Sequence, residues 1–467
     1  MKFIEDNYLQ FSRLRHDVIS DKLQLRMERP TPDPSLKGGE NSAAHKSFPL
    51  GEDLGEASVW REMTKHDINS IVCHCAQECD MNITSREVMT ALQSDLIPDV
   101  HPLREYILSL PPFTPDQPDW IDWVAQQVHV RESALDNAPH SEASYSPQSG
   151  RPIGGTPSYS PNGASSGSNA DALWRTCFKK WFVAMVASWM HDEVVNHTAL
   201  VLVGRQGIFK TTWLEHLIPP ALRTYSSKMP LNGQISKDDR LRLCENAMLN
   251  IDELDAICGR EMNIVKSLLT STDVNERAAY GRLKERRMRL ASFCASTNNR
   301  EFLTDITGNR RWLPFEVESI QNPFHITLPY ERIYAQAKAL IEGGTYMYWF
   351  DLEDIEQLEK HNEDFRAQEN EEQLLPILFD IPAEGKGEFM TTAEISDRLV
   401  SHGGIKKPMT TRQLGVVMGK MGFQKAQVRI SGTCVRGWIV YKRDQDEITS
   451  AKRIGASDAL MQRCDTY

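Results

Sequence analysis

One glycine-containing octapeptide constrains the fold of this chain more than any other feature. It spans residues 204–211, follows the apolar run 198–203 and precedes the helix-compatible segment 212–217. Between a strand and a helix, such a loop turns backbone N–H groups toward phosphates, its lysine reaches the terminal phosphate, and the next hydroxyl binds Mg²⁺. The pattern predicts an α/β fold with a phosphate-binding loop. Its candidate nucleotide contacts are Gly204, Gln206, Gly207, Lys210, Thr211 and Thr212.

The loop departs from the usual spacing at one position. Phe209 stands where a glycine normally precedes the lysine. Glycine there permits a backbone conformation and a close phosphate approach that a large side chain resists. We therefore expect an altered loop or weaker nucleotide affinity, with Lys210 and Thr211 still available for phosphate and Mg²⁺.

Two later strand-like runs end in polar residues that suit the same site. The run 247–251 is followed directly by Asp252 and Glu253. The aspartate would hold Mg²⁺, and the glutamate would orient and deprotonate the attacking water. The run 290–297 is followed directly by Asn298, whose amide can form a hydrogen bond with the γ-phosphate or with that water. Both ends are expected at strand tips facing the loop. Each run alone is equally typical of an ordinary strand before a polar turn.

Two basic segments offer contacts beyond the loop. Arg310 and Arg311 follow a turn and are either solvated or reach a neighbouring subunit's γ-phosphate as an arginine finger. Residues 275–284 have the pattern of a basic hairpin, which is either a plain surface hairpin or a tracker of a nucleic-acid backbone. The candidate contacts of this hairpin are Arg277, Tyr280, Arg282 and Lys284.

Taken together, these motifs resemble the virulence-associated protein E family, whose members are ATPases related to superfamily 3 helicases. The matching segments are 204–207 with 210–212, 250–253, 277–280, 291–293 with 297–298, and 303–305 with 308–311. The resemblance implies a P-loop AAA+-like core that binds ATP and Mg²⁺ and forms a homo-oligomeric ring such as a hexamer. It also implies a role in replicating phage or integrated mobile-element DNA, with Asn298 as a sensor and Arg310 or Arg311 as the finger in trans.

Composition divides the chain into six predicted parts. Residues 141–170 are rich in Ser, Pro and Gly, and too few of them are apolar to offset the entropy of ordering. The predicted order is a mostly helical N-terminal region (1–140, with a helix over 58–64), this flexible linker, the P-loop ATPase domain (171–345), a solvated acidic helical connector (346–387), a winged-helix domain (388–445) and a tail (446–467).

The winged-helix prediction rests on local signals in the C-terminal part. Thr391 and Thr410 each start a capping-box pattern before a helix, and Gly422 is placed to end the second helix with a left-handed residue. Two strand-like runs, 425–430 and 433–441, follow. The second helix would carry Arg412 and Lys420 toward DNA, although a winged helix can also serve protein contacts alone.

Charge and apolar content exclude several classes of protein. The formal net charge is −11, so any contact with nucleic acid must be local. No apolar run is long enough to span a bilayer, and nine scattered cysteines are typical of a reducing cytoplasm.

We therefore expect a cytoplasmic, ATP-hydrolysing, DNA helicase-like protein of a phage or integrated mobile element, with ATP at its subunit interfaces. Its expected partners are single- or double-stranded DNA, further copies of itself and other replication proteins. One alternative is a nucleotide-switched initiator or regulator that assembles on DNA without unwinding it. Another is a degraded phosphate loop with only a structural role.

Overall fold

The chain folds as a mixed α/β protein built around a parallel sheet. A computed structural model describes residues 14–27, 59–94, 97–131, 169–229, 235–252, 254, 259–276, 285–303, 309–367, 370–382, 387–403, 405, 408–430, 433–444 and 446–449. The strands are β1 (Leu14–Asp17), β2 (Lys22–Met27), β3 (Val59–Glu62), β4 (Asp99–Val100), β5 (Val128–Val130), β6 (Ala199–Val203), β7 (Ser226–Lys228), β8 (Met248–Ile251), β9 (Asp273–Glu276), β10 (Glu285–Met288), β11 (Ser292–Thr297), β12 (Trp312–Ile320), β13 (Phe379–Asp380), β14 (Glu388–Met390), β15 (Gln424–Ile430) and β16 (Thr433–Lys442).

The described helices alternate with these strands through the middle of the chain. They are α1 (Lys65–Cys79), α2 (Ser85–Leu92), α3 (Pro102–Ser109), α4 (Trp120–Ala125), α5 (Asn169–Met190), α6 (Lys210–His216), α7 (Lys237–Glu245), α8 (Gly259–Thr270), α9 (Tyr330–Glu342), α10 (Leu352–Asn362), α11 (Asn370–Leu378), α12 (Thr392–Gly403) and α13 (Thr411–Lys420). None of the helices in the described part has the length and apolar character needed to span a bilayer.

The central sheet has the strand order β5-β12-β6-β11-β8-β7. All neighbouring pairs from β12 to β7 are parallel, and only β5 joins antiparallel at the edge. Strand β6 has β11 and β12 as its neighbours, whereas the chain leaves it for the distant edge strand β7. Ligands of open parallel sheets bind outside the carboxyl ends of the strands at such a switch in connection direction. The topology therefore favours a site after Val203.

The sheet is buried on both faces, as a parallel sheet with helices on each side must be. In β6, Leu200 and Leu202 belong to one apolar cluster, whereas Ala199, Val201 and Val203 belong to another. Helix α5 covers the first face with a row of buried aromatic side chains, namely Trp174, Phe178, Trp181, Phe182 and Trp189. This packing fixes the strands that hold the loop and its partner strands.

The N-terminal region contains a four-stranded sheet, in the order β3-β2-β1-β4, as well as helices. The prediction of a helix over residues 58–64 is wrong, because β3 occupies 59–62 and pairs with β2. Polar contacts join this region to the central core, and Ile19, in the turn after β1, packs into the central apolar cluster. The Tyr225 hydroxyl donates to Asp17 Oδ2 at 2.8 Å, and the Arg287 guanidinium donates to the carbonyls of Val18 and Ile19.

The acidic connector is helical, as predicted, but it is not simply solvated. Glu371 and Glu372 at the start of α11 are buried. Arg366 donates to both oxygens of Glu372 at 2.7 and 2.6 Å, and the Met409 backbone N–H donates to Glu371 at 2.6 Å. Carboxylates can be buried when ionic and hydrogen-bonding partners compensate for lost hydration. The predicted linker lies outside the described residues, except that Asn169 and Ala170 begin α5.

The C-terminal unit contains two helices followed by a hairpin, in the predicted order. Thr391 and Thr410 both form the predicted capping boxes, and Gly422 has a φ of 86° after the second helix. Two short strands that the sequence did not suggest, β13 and β14, pair with β16. Leu399, Leu414, Met418 and Trp438 share the apolar core of this unit.

Candidate functional site

The phosphate-type loop leaves the carboxyl end of β6 and runs directly into α6. Lys210, the first residue of that helix, is buried, and its ammonium group points back into the loop. Its Nζ donates to the carbonyl oxygens of Gly204 and Arg205 at 2.6 and 2.7 Å and to Asn298 Oδ1 at 3.1 Å. An ammonium group has three donors. The loop therefore holds its cation at the sheet edge, next to the predicted sensor residue.

A second set of polar groups links the loop to the neighbouring strands. The hydroxyl oxygens of Thr211 and Ser296 are 3.0 Å apart, and Ser296 Oγ donates to Asp252 Oδ1 at 3.3 Å. These three residues come from α6, β11 and the end of β8. The structure thus brings together the predicted Mg²⁺ ligands, Thr211 and Asp252, through a serine between them.

A basic side chain stands beside this group. Lys228 Nζ, at the end of the edge strand β7, donates to Asp252 Oδ2 at 2.9 Å and lies 3.6 Å from a carboxylate oxygen of Glu215. The hydrogen bond to Asp252 raises the pKa of Lys228 above its ordinary value. The ammonium group therefore keeps its charge, and it occupies one side of the carboxylate assigned to the metal.

These residues surround a cavity of about 340 Å³. Its lining consists of Gln206, Gly207, Phe209, Lys210, Thr211, Thr212, Asp252, Ser296, Thr297 and Asn298. The volume falls in the range of small-molecule sites. The hydroxyl and carboxylate oxygens at its floor are the hard donors that Mg²⁺ prefers. The residues present therefore fit a triphosphate with its metal ion.

Asn250 adds a polar group behind the cavity. It is fully buried in β8, two residues before Asp252, and therefore lies on the same face of the strand. Neither its amide oxygen nor its nitrogen has a hydrogen-bond partner in the described part of the structure. Buried amides are normally satisfied, often by ordered water. An ion with its water shell next to Asp252 would supply such partners.

The loop backbone explains its two unusual positions. A Cβ on Gly204 would lie only 2.7 Å from the Val317 carbonyl oxygen, so this position requires glycine. Phe209 has a φ of 67° and a ψ of 17°, which is the left-handed conformation. Its ring meets the ring of Phe324 edge to face, with the centroids 6.4 Å apart. The loop thus retains a conformation that glycine adopts more easily, and an aromatic contact supports it instead.

The twin arginines lie at the other end of the sheet. They precede β12, whose first residue, Trp312, pairs with Ala199 at the start of β6. Strand β6 has five residues, so about 17 Å separates this end from the loop. A second cavity, of about 400 Å³, is lined by Ala184, Val195, Asn196, His197, Thr198, Thr270, Arg310, Arg311, Tyr348, Trp349, Phe350 and Ile355. Arg310 and Arg311 therefore do not line the loop cavity of their own chain.

The remaining candidates have different positions. Glu253, Arg277, Tyr280, Arg282 and Lys284 lie outside the described residues. Arg412 is exposed near the start of α13. Lys420, at the end of that helix, forms an ion pair with Glu363 of the connector, with Nζ and Oε1 2.6 Å apart. That pair engages Lys420 within the protein.

Sequence reasoning missed two residues of the site, Ser296 and Lys228. Ser296 had a usable signal, because strand alternation puts it on the same face as Asn298. Lys228 had none, since it precedes Asp252 by 24 positions and reaches it only through the pairing of β7 with β8.

Comparisons with known proteins bear on this central region. No curated protein matches the chain. The solved structures that align with it include one of the apo NrS-1 C-terminal region and two of the A form of that apo region. All three are 10% identical and cover 93% of this chain. The alignment spans 97% of the first structure's chain with a TM-score of 0.37, and 98% of the other two chains with TM-scores of 0.35 and 0.36. Likeness at this level supports no conclusion about fold or function.

A family model gives the clearer result. The virulence-associated protein E-like domain matches residues 164–367, which include α5, the loop, the central parallel strands and both arginines. The motifs that suggested this family all fall inside the matched range. Residues 164–367 of this chain therefore match the virulence-associated protein E-like domain.

Proposed function

We propose that the protein is an ATP-hydrolysing, DNA helicase-like enzyme that replicates the DNA of a phage or integrated mobile element. The observation that carries the proposal is the convergence of Lys210, Thr211, Asp252 and Asn298 on one cavity at the carboxyl edge of the sheet. These residues come from separate parts of the chain, and each has the chemistry that phosphoryl transfer needs. The family match supports the replication setting.

Each residue would have a defined task. Lys210 would exchange its carbonyl partners for phosphate oxygens and neutralise charge that develops there during transfer. Thr211 and Asp252 would hold Mg²⁺ at the cavity floor, and Ser296 would orient the aspartate through its hydrogen bond. The metal would neutralise phosphate charge when bound. Asn298, which accepts a hydrogen bond from Lys210 here, would turn its amide to the terminal phosphate or the attacking water.

Water activation is assigned to Glu253, which follows Asp252 directly in the sequence. This role rests on sequence reasoning and on the resemblance. Glu253 is the only other carboxylate among the predicted site residues, because Asp252 would be engaged in binding the metal.

Assembly would complete the site. Arg310 and Arg311 lie about 17 Å from the loop of their own chain, which is the length of β6. No side-chain hydrogen bond or ion pair joins either arginine to another described residue. We propose that a neighbouring copy supplies these cations to the ATP of the first copy, so that hydrolysis requires a homo-oligomer.

The proposal is tested by steady-state ATP hydrolysis with and without single-stranded DNA, together with unwinding of a forked duplex. A DNA-stimulated rate and strand separation are expected for the full-length protein, and the Glu253→Gln variant should lose both while still binding nucleotide. Duplex binding and ATP-dependent assembly without strand separation would instead identify a nucleotide-switched initiator. No nucleotide binding at all would reduce the loop to a structural element.

A further inference from the structure

The hairpin formed by β15 and β16, hereafter the basic ribbon, has an unusual charge for this chain. Its two strands, Gln424–Ile430 and Thr433–Lys442, contain four cations and no Asp or Glu. The whole protein carries a formal charge of −11. A local concentration of positive charge on an acidic protein is the electrostatic mark of a polyanion contact.

Strand register collects three of these cations on one face. Gln427 is directly opposite Arg436, and Lys425 and Arg429 are two residues away from Gln427 on either side. Side chains two apart on a strand share a face, and directly opposed residues of an antiparallel pair share it too. Lys425, Arg429 and Arg436 therefore point to the same side of the ribbon. Ala426, Val428 and Val435 occupy the other side.

The three cations are exposed and available. Lys425, Arg429 and Arg436 are all exposed, and none forms an ion pair with a carboxylate of the described residues. Lys425 lies over the Trp438 ring, 5.5 Å from its centroid. The fourth cation, Lys442, differs because its Nζ lies 2.9 Å from an oxygen of Glu388. Lys420 of α13, the contact expected from sequence, is likewise paired with Glu363.

We propose that the face of the ribbon with Lys425, Arg429 and Arg436 binds the phosphate backbone of duplex DNA. Charge complementarity selects a polyanion as the occupant. The aromatic residue on this face, Trp438, is buried in the core of the unit and cannot stack on unpaired bases. Single-strand binding depends on such stacking, whereas duplex backbones are held by cations alone. The site rests on the proposed association with DNA, but not on ATP hydrolysis.

The test is the salt dependence of duplex binding by the full-length protein. The Lys425→Gln, Arg429→Gln, Arg436→Gln variant removes three cations, and Lys442→Gln is the matched control on the same ribbon. Because each phosphate contact contributes a slope of about −0.9 to log K against log salt, the triple variant should be shallower by about 2.7. Its affinity for a short mixed-sequence duplex should fall at least tenfold at low salt. The Lys442→Gln control should have the wild-type salt slope and duplex affinity. The triple variant should hydrolyse ATP without DNA at the wild-type rate.

The outcomes separate this site from the function it serves. A triple variant with wild-type slope and affinity overturns the ribbon site while leaving the ATPase proposal intact. If the triple variant loses self-association but keeps duplex binding, the occupant is an acidic surface of another copy. That result would also overturn the proposal that the ribbon binds DNA. If the wild-type protein binds no duplex, the proposed DNA association fails as well. A thermal melt of the variant excludes unfolding as the cause.

Discussion

The two ends of the central sheet carry polar groups arranged in opposite ways. At the carboxyl end, Lys210 is hydrogen-bonded to the loop and to Asn298, and Ser296 links Thr211 to Asp252. At the amino end, Arg310 and Arg311 line a cavity with three consecutive aromatic residues, 348–350, and the described lining residues include no carboxylate. One end therefore forms a pre-organised pocket, whereas the other presents cations without an anionic partner among the described residues.

Under the proposed function, the carboxyl end would bind the nucleotide and the amino end would supply arginines to a neighbouring copy. A pocket that binds nucleotide must hold its donors in place before the ligand arrives, because preorganisation avoids a later cost in reorganisation. Cations that complete a neighbour's pocket must instead remain accessible. Each copy would then contribute two different halves to two different sites, which is the head-to-tail contact that closes into a ring.

The largest expected effect comes from removing the amino-end cations. Arg310→Ala, Arg311→Ala should lower the rate of ATP hydrolysis by about 10³-fold, because an arginine finger stabilises transition-state charge, while nucleotide affinity stays near wild type. Steady-state rates and an equilibrium titration measure the two quantities, with Arg286→Ala, an exposed arginine paired with Asp273, as control. Mixing the double variant with Glu253→Gln should restore part of the hydrolysis. An assembled mixture without recovery would contradict a shared site.

Arg289 offers a way to disturb the amino end without touching the loop cavity. This buried guanidinium donates to the carbonyls of Asn196, Leu268, Leu269 and Ala291 at 2.8 to 3.0 Å. Arg289→Met removes these buried, charge-assisted hydrogen bonds and should lower the free energy of unfolding by about 3 kcal/mol. Urea denaturation at constant m-value measures it. A decrease in the free energy of unfolding of less than about 1 kcal/mol would mean that the Arg289 hydrogen bonds do not stabilise this end of the sheet.

Lys228 tests how its ion pair with Asp252 affects the proposed metal site. Replacing it with methionine removes the cation from Asp252 and leaves Glu215 nearby, so Mg²⁺ should bind more tightly. The gain should be at most about fivefold, since exposed ion pairs contribute about 1 kcal/mol or less. A Mg²⁺ titration of nucleotide-analogue binding measures it, with Lys237→Met as control. The raised pKa keeps Lys228 charged at neutral and moderately alkaline pH, so the difference between the proteins should persist there. Weaker Mg²⁺ binding would instead make Lys228 part of the ligand site.

The smallest effect is expected at Phe209. Glycine would relieve a left-handed conformation that costs about 1–2 kcal/mol, but it would lose an aromatic contact with Phe324 of about 0.5–1.5 kcal/mol. Phe209→Gly should therefore change stability by about 1 kcal/mol or less and should not weaken nucleotide binding. Phe324→Ala and the double variant complete a cycle that isolates the ring contact. A tenfold loss of affinity in Phe209→Gly would show that the ring itself supports the nucleotide.

Local signals predicted more of this protein than long-range ones. The capping residues Thr391 and Thr410 and the left-handed Gly422 act through neighbours three or four positions away, so the sequence alone locates the C-terminal helices. The phosphate-type loop is equally local. By contrast, β3 becomes a strand because it pairs with β2 across more than thirty positions, and a local pattern cannot show this.

The same distinction applies to the site. Asp252 and Asn298 could be predicted because each ends a strand, and parallel strands bring their ends together. Lys228 and the burial of Glu371 depend on which elements become neighbours in three dimensions. The position of Arg310 and Arg311 relative to the loop also required the register of β12 on β6, which places them at the far end of the sheet.

The most direct test of the central claim is an equilibrium titration with a fluorescent ATP analogue and Mg²⁺. Lys210→Ala removes the cation at the centre of the carboxyl-end cavity, and Lys237→Ala removes a lysine from α7, outside that cavity. We expect Lys210→Ala to bind the analogue about 100-fold more weakly, a loss of about 2.7 kcal/mol, and Lys237→Ala to bind it like wild type. Unchanged affinity in a folded Lys210→Ala protein would contradict the assignment of this cavity to nucleotide.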